Sequence, residues 1–257
     1  AWCKFVKDIV GETFPVQLVA GNHDVAPEYM ASQGDISRFS ACLPNRMPDM
    51  EGTYGDQYSF EYNDLAKFIF LSPDLEIHDK YYRYDKGPDR EWLESQVEDA
   101  KKKGLWTITV MHKNCVTIGK KDCEITTAMQ DYLVDAGVDL ILQGHEHAYM
   151  RSAQLQLSDK CPTINVEKGD KDCIKDNQSD SEFTAGGSVI VINGMGGRDM
   201  YYLDKDRPEA TYLVSWYGDN IENSEFGPSV FTVDENSIKA KMVSITGEVK
   251  DSFTITR

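Results

Sequence analysis

At 257 residues, 40% hydrophobic and 11% aromatic, the chain is long enough to bury one large core. Its formal charge of -16 repels nucleic acid, anionic membrane surfaces and any phosphorylated ligand that local cations do not attract. No apolar run approaches the roughly 18 residues of a membrane span, and Ala1-Trp2-Cys3-Lys4 carries no signal-peptide pattern. Neither a nucleic-acid partner nor a membrane span is therefore expected.

In chain order, Trp2, Phe5, Val6 and Ile9 recur at helical spacing and predict an amphipathic helix over residues 1–10 that starts without a capping residue. Val16–Ala20 reads as a strand leading straight into Gly21-Asn22-His23-Asp24. Residues 27–56, rich in Pro, Met, Asp and Gly, read as a long loop. Gln57–Tyr62 and Lys67–Ser72 read as two strands joined by Asn63-Asp64, a hairpin signal. Residues 73–88 read as another loop. Asp89–Lys103 is a helix with Trp92, Leu93, Gln96, Val97 and Ala100 on one face and lysines then Gly104 at its end. Trp106–Met111 is a strand ending at His112. Thr127–Ala136 is a helix closing at Gly137, and the apolar run from Val138 to Leu142 is a buried strand running into Gly144-His145-Glu146-His147. Residues 157–184 read as a polar insertion. After it only strands follow, at 188–193, 211–216, 229–233, 238–244 and 252–256. The layout is α/β first and β afterwards, and a single domain over 1–257 is expected.

Six cysteines allow fifteen pairings. Cys115 with Cys123 and Cys161 with Cys173 are close in sequence, in polar loop-like stretches, and no zinc-type Cys-x-x-Cys occurs. Disulfides in an oxidising compartment are the reading, extracytoplasmic or secreted, with Cys3 and Cys42 left for each other by elimination. Asn177-Gln178-Ser179 matches a glycosylation acceptor, a short pattern that matches often by chance.

Three strands thus end in residues that bind metals, at Asn22-His23-Asp24, at His112 and at His145-x-His147. A lone His-x-His is weak evidence. Here four of only five histidines fall at strand ends, where open α/β sheets bind ligands. An amide carbonyl and several imidazoles suit iron, zinc or manganese. His78 reads as an ordinary surface residue.

Together, Gly21-Asn22-His23-Asp24, Val110-Met111-His112 and Gly144-His145-Glu146-His147-Ala148-Tyr149 resemble the calcineurin-like metallophosphoesterase superfamily. The stretch from His145 to Ser152, Tyr58-Ser59-Phe60, Phe68 to Ser72, Trp92-Leu93 and Asp251-Ser252-Phe253 look most like its purple acid phosphatase branch. The resemblance implies an α/β fold, a four-layer α/β/β/α sandwich of two mixed sheets. It implies two divalent or trivalent metal ions, with Asn22, His112 and His145 on one and His147 on the other. It also implies a catalytic His23 near the leaving group, oriented by Asp24. The implied reaction is hydrolysis of a phosphorylated small molecule, a phosphomonoester, by a metal-bound hydroxide. Glu146 reads as a supporting or merely solvated residue. Lys120 and Lys121, in the loop after His112 where the branch carries a His pair, read either as solvated lysines or as substrate-binding cations. The alternatives are a phosphodiesterase or nucleotidase of the same fold, or a non-catalytic binding module with an incomplete metal site.

The sequence departs from the pattern in two respects. Many purple acid phosphatases have Glu where Asp24 stands. The two Asp-bearing motifs that precede Gly-Asn-His in the superfamily, including the bridging Asp, have no match among residues 1–20, where Asp8 is the one aspartate. The expectation is a chain that is the larger part of a longer protein, with a missing N-terminal segment as its partner. Part of the fold would then be absent and metal binding by these residues alone would be weak.

Overall fold

Turn chemistry and strand periodicity place most elements where the residues predict them. The structure is a computed structural model that describes residues 1–25, 35–177 and 181–257. Helix α1 (Trp2–Val10) forms as expected, but none of its residues is buried. Trp2 meets Phe39 edge-on at 5.0 Å, and a Cys3–Cys42 disulfide joins α1 to α2 (Ile36–Cys42). The loop expected over 27–56 lies partly outside the described residues. Within them it holds α2, which starts because the Asp35 side chain caps the Ser37 N–H, and strand β1 (Glu51–Thr53). Of the acceptor pattern at 177–179, Gln178 and Ser179 also lie outside.

Val16–Ala20 does not become a strand. Only Val19 pairs, in a single parallel bridge with Gly55. The reason lies in its neighbours: the Val16 and Leu18 carbonyls accept the hydroxyls of Tyr54 and Tyr58. Side chains, not a ladder, satisfy these two carbonyls.

Strands β2 (Gln57–Tyr62) and β3 (Ala66–Leu71) are joined through Asn63 and Asp64, both left-handed with φ of 50° and 52°. Left-handed pairs match the twist of a hairpin. A second hairpin, β4 (Leu75–Ile77) and β5 (Lys80–Tyr82), turns on His78 and Asp79 with φ of 49° and 62°. It corrects the loop expected over 73–88, whose three-residue strands show no alternation long enough to read. The chain continues through α3 (Pro88–Lys102), β6 (Trp106–Met111), α4 (Thr127–Asp135) and β7 (Leu140–Gln143). Then follow β8 (Tyr149–Ser152), β9 (Gln154–Leu155), β10 (Ile174–Asp176) and β11 (Glu182–Thr184). The last strands are β12 (Val189–Asn193), β13 (Leu213–Tyr217), β14 (Ser229–Val233), β15 (Ser237–Val243) and β16 (Val249–Thr256).

The larger sheet has eight strands in the order β1-β2-β3-β6-β7-β12-β8-β13. β3, β6, β7 and β12 run parallel and the flanking pairs are antiparallel. A second sheet has the order β11-β16-β15-β14 and is also mixed, because β11 pairs parallel with β16. The stretch read as a polar insertion is therefore more than that. It carries the Cys161–Cys173 disulfide and ends by donating an edge strand whose Phe183 is buried.

One face of the larger sheet packs on α3 and α4, with Ile69, Met111, Ile141 and Ile190 against Leu93, Val97, Met129 and Leu133. The other face packs on the second sheet, with Trp106, Ile108, Leu140 and Val191 against Ile238, Ala240, Met242 and Ile255. Alternation along β15 leaves Lys239 and Lys241 exposed on the far side. The described residues thus supply helices, sheet and sheet as successive layers of a mixed α/β fold. The parallel strands β6 and β7 end side by side, so the residues that follow them are neighbours.

Candidate metal centre

Three polar side chains meet where β6 and β7 end. His112 Nε2 lies 2.8 Å from Asn22 Oδ1 and 3.0 Å from His145 Nδ1. Register explains the approach. β6 and β7 pair in parallel through Val110 and Leu142, and the Gly144 N–H donates to the His112 carbonyl at 2.9 Å. His145 is left-handed, φ 64°, an uncommon conformation of the kind retained at functional sites. The Asn22 turn comes close only because Gly21 lacks a side chain. A Cβ there would stand 3.0 Å from His112 Nδ1 and 3.1 Å from Asp24 Oδ2.

The donor set fits a metal ion. Donors that share one small cation at roughly 2.1 Å stand about 3 Å apart. The tautomer of His145 agrees. The far nitrogen of His145, Nε2, lies 3.0 Å from Glu124 Oε1, and a carboxylate there takes the N–H and leaves Nδ1 its lone pair. Glu124 in turn pairs with the buried Lys113 ammonium at 3.1 Å, and Lys113 also pairs with Asp74. Burial pushes the Glu124 carboxyl up, but the hydrogen bonds from His145 and Lys113 outweigh it and hold it below its ordinary value. Burial, then the neighbouring His145, Lys113 and His23, holds His112 down to about 4. His145 is lowered too, chiefly by burial. Neutral imidazoles are what a metal needs.

A pH dependence follows for the metal-free protein. Below the ordinary histidine value of 6.5 the unfolded chain takes up a proton that folded His112 refuses until about pH 4. Stability present above pH 6.5 is therefore lost as pH falls through that window, by up to about 3 kcal/mol. Thermal unfolding between about pH 7 and 4.5 should show a slope that His112→Asn flattens. An equal slope in the variant would reject His112 as the source.

His147 makes its contacts with Asp199 and Tyr201. Its Nδ1 is 3.0 Å from the Asp199 carbonyl, and its ring stacks on Tyr201 with centroids 4.1 Å apart. The N–H bond to Asp199 leaves Nε2 as the free lone pair. His23 is exposed. Asp24 accepts the Gly21 N–H at 3.0 Å and so ties the turn closed. Among the described residues no hydrogen bond joins it to His23.

Glu146 is not solvated, contrary to one reading of the sequence. It is fully buried, and its carboxylate accepts the Lys120 N–H at 2.9 Å, the Lys121 N–H at 2.8 Å and the Thr117 hydroxyl at 2.9 Å. The Cys115–Cys123 disulfide closes the same loop. The Lys120 ammonium stands 5.2 Å from the Tyr201 ring centre, and the Lys121 charge reaches His145. Glu124 and Tyr201 were not singled out from the sequence. Glu124 follows Cys123 in a polar loop with no periodicity, and Tyr201 lies 54 residues beyond His147; neither position carries a local signal.

An Asn–His–His triangle, with its histidines following two adjacent parallel strands and its Asn in a turn beside them, is a candidate metal site on a mixed α/β fold. The model of the calcineurin-like phosphoesterase family matches residues 1–149, more than half of the chain, and the chain belongs to that family. It is similar to purple acid phosphatase 15 of Arabidopsis thaliana, 23% identical over 66% of this chain and 31% of that protein. An uncharacterized protein of Mycobacterium tuberculosis is 24% identical over 95% of this chain and 53% of its own length. Among solved structures, the purple acid phosphatase from yellow lupin (Lupinus luteus) seeds shares the fold, with TM-score 0.59 and 18% identity, covering 93% of this chain and 40% of that one. The chain thus spans about a third to a half of the length of these curated relatives.

Proposed function

We propose that the protein is a metal-dependent phosphatase that hydrolyses phosphomonoesters outside the cytoplasm, with residues 1–257 as the larger part of one catalytic domain. The observation that carries this reading is the Asn22–His112–His145 donor triangle in a phosphoesterase chain. Asn22, His112 and His145 would hold one ion and His147 a second. Bound ions of this kind supply Lewis acidity toward the phosphoryl oxygens and lower the pKa of water. His23, exposed and within electrostatic reach of His112, would give a proton to the leaving oxygen. Lys120 and Lys121 offer the substrate phosphate positive charge in an acidic protein. The three disulfides support the extracytoplasmic placement.

The test uses the full-length protein with a chromogenic phosphomonoester and the corresponding diester, before and after chelation. Monoester hydrolysis that chelation abolishes and added metal restores supports the proposal. Faster diester cleavage would reassign it as a phosphodiesterase. Inertness toward both with metal bound would favour a binding module. A Lys120→Ala, Lys121→Ala double variant should raise KM roughly 5- to 10-fold, more at low salt. Identical kinetics at both ionic strengths would remove the two lysines from the site.

A further inference from the structure

We infer that Glu146 is the positioning residue of the site. Its buried carboxylate fixes the backbone at Lys120 and Lys121 against the ligand segment, so that the Lys120 ammonium is presented beside the Tyr201–His147 stack. The inference deepens the proposed function and rests on it for the identity of the substrate.

The geometry is specific. Glu146 lies between His145 and His147 in sequence, and its side chain spans to another loop. Its two oxygens divide three donors: Oε1 takes the Lys120 N–H, and Oε2 takes the Lys121 N–H and the Thr117 hydroxyl. Thr117 Oγ1 also receives the Gly119 N–H at 3.0 Å. Gly119 presses so closely on the carboxylate that a Cβ there would lie 2.3 Å from its carbon. From the opposite side Arg207 donates to the Gly119 and Lys121 carbonyls, at 2.9 and 3.4 Å, and the Asp204 N–H donates to the Ile118 carbonyl at 2.8 Å.

The Lys120 and Lys121 N–H groups are therefore held by one buried carboxylate and the Gly119 and Lys121 carbonyls by one cation, inside a closed disulfide. A buried carboxylate keeps such a place only if its hydrogen bonds replace water. The same short segment that carries His145 and His147 thus also carries the anchor of the lysine loop. Tyr201, against which Lys120 rests, donates its N–H to the His147 carbonyl at 2.9 Å. An isolated flexible lysine loses rotamer and backbone entropy on binding an anion; a fixed loop has already lost the backbone part.

Glu146→Gln keeps the shape and the carbonyl but faces one backbone N–H with an amide NH2. In the full-length protein it should raise KM for the phosphomonoester about tenfold and lower kcat less than about threefold. It should weaken competitive inhibition by inorganic phosphate by the same factor as KM and leave metal content unchanged. Amide hydrogen exchange at residues 117–121 should accelerate, a readout that does not depend on turnover. Glu146→Asp, which keeps the charge, should recover part of the loss. If these variants fail to fold, Thr117→Val removes one donor at constant shape and should raise KM about threefold. Unchanged exchange at 117–121 would overturn the positioning role whatever the substrate. Faster exchange with unchanged phosphate inhibition would overturn its link to Lys120. Absence of turnover and phosphate binding in the parent protein would instead be the failure of the proposed function.

Discussion

Replacing His145 by alanine in the full-length protein is expected to lower phosphomonoester turnover by at least about 100-fold and to cost at least one bound ion per chain. The expectation rests on what the ring touches. Its Nδ1 stands 3.0 Å from His112 Nε2, and its Nε2 meets Glu124 at 3.0 Å. Truncation removes one donor and also frees Glu124, which then answers only to Lys113. Glu124→Gln keeps the ligand and changes only its partner, so metal affinity should fall about 10- to 100-fold and turnover should return at high metal. Metal analysis beside kinetics separates the two variants. Full metal occupancy in His145→Ala would remove His145 from the ligand set.

The second large effect concerns stability. Arg151 on β8 of the larger sheet reaches Asp251 on β16 of the smaller one through two bonds, Nε to Oδ2 at 2.6 Å and Nη2 to Oδ1 at 2.9 Å. Tyr149 donates its hydroxyl to the same Oδ2 at 2.7 Å. Both charged side chains are more than nine-tenths buried. Asp251→Ala would leave a guanidinium without its partner between two packed sheets, at a cost of about 3–5 kcal/mol. Arg151→Met with Asp251→Leu removes both charges and should recover most of that loss. Chemical denaturation midpoints of the single and double variants give the comparison. An Asp251→Ala protein within about 1 kcal/mol of the parent would show that water reaches the pair.

Two of the three side chains of the candidate site could be read from local pattern because His112 and His145 follow strands. The Trp106–Met111 run and the apolar residues before Gly144 each read as a buried strand, and their parallel pairing in the structure brings His112 and His145 to one edge of one sheet. Disulfide partners eight and twelve residues apart, Cys115–Cys123 and Cys161–Cys173, are nearly dictated by chain length. Cys3–Cys42 spans 39 residues and followed only by elimination. The misreadings are as instructive. Val16–Ala20 has strand composition, yet its carbonyls went to two tyrosine hydroxyls. The 75–82 hairpin turns on His78-Asp79, a pair that does not advertise a left-handed turn as Asn-Gly does.

The sequence by itself determined what depends on neighbours along the chain: strands β2, β3 and β6, helices α3 and α4, and the three motifs that carry the imidazoles and the amide. Hydrophobic period and turn residues act over a few positions, and so they are visible in a string of letters. Only the tertiary structure decided which nitrogen of His145 faces His112, that Glu124 takes the other, and that Glu146 is buried under the lysine loop rather than solvated. Those outcomes depend on contacts between residues 21 to 33 positions apart, where a carboxylate's position is set by which backbone N–H groups lack another partner. Burial then determines whether the same carboxylate is a solvated surface charge or the fixed point of a loop.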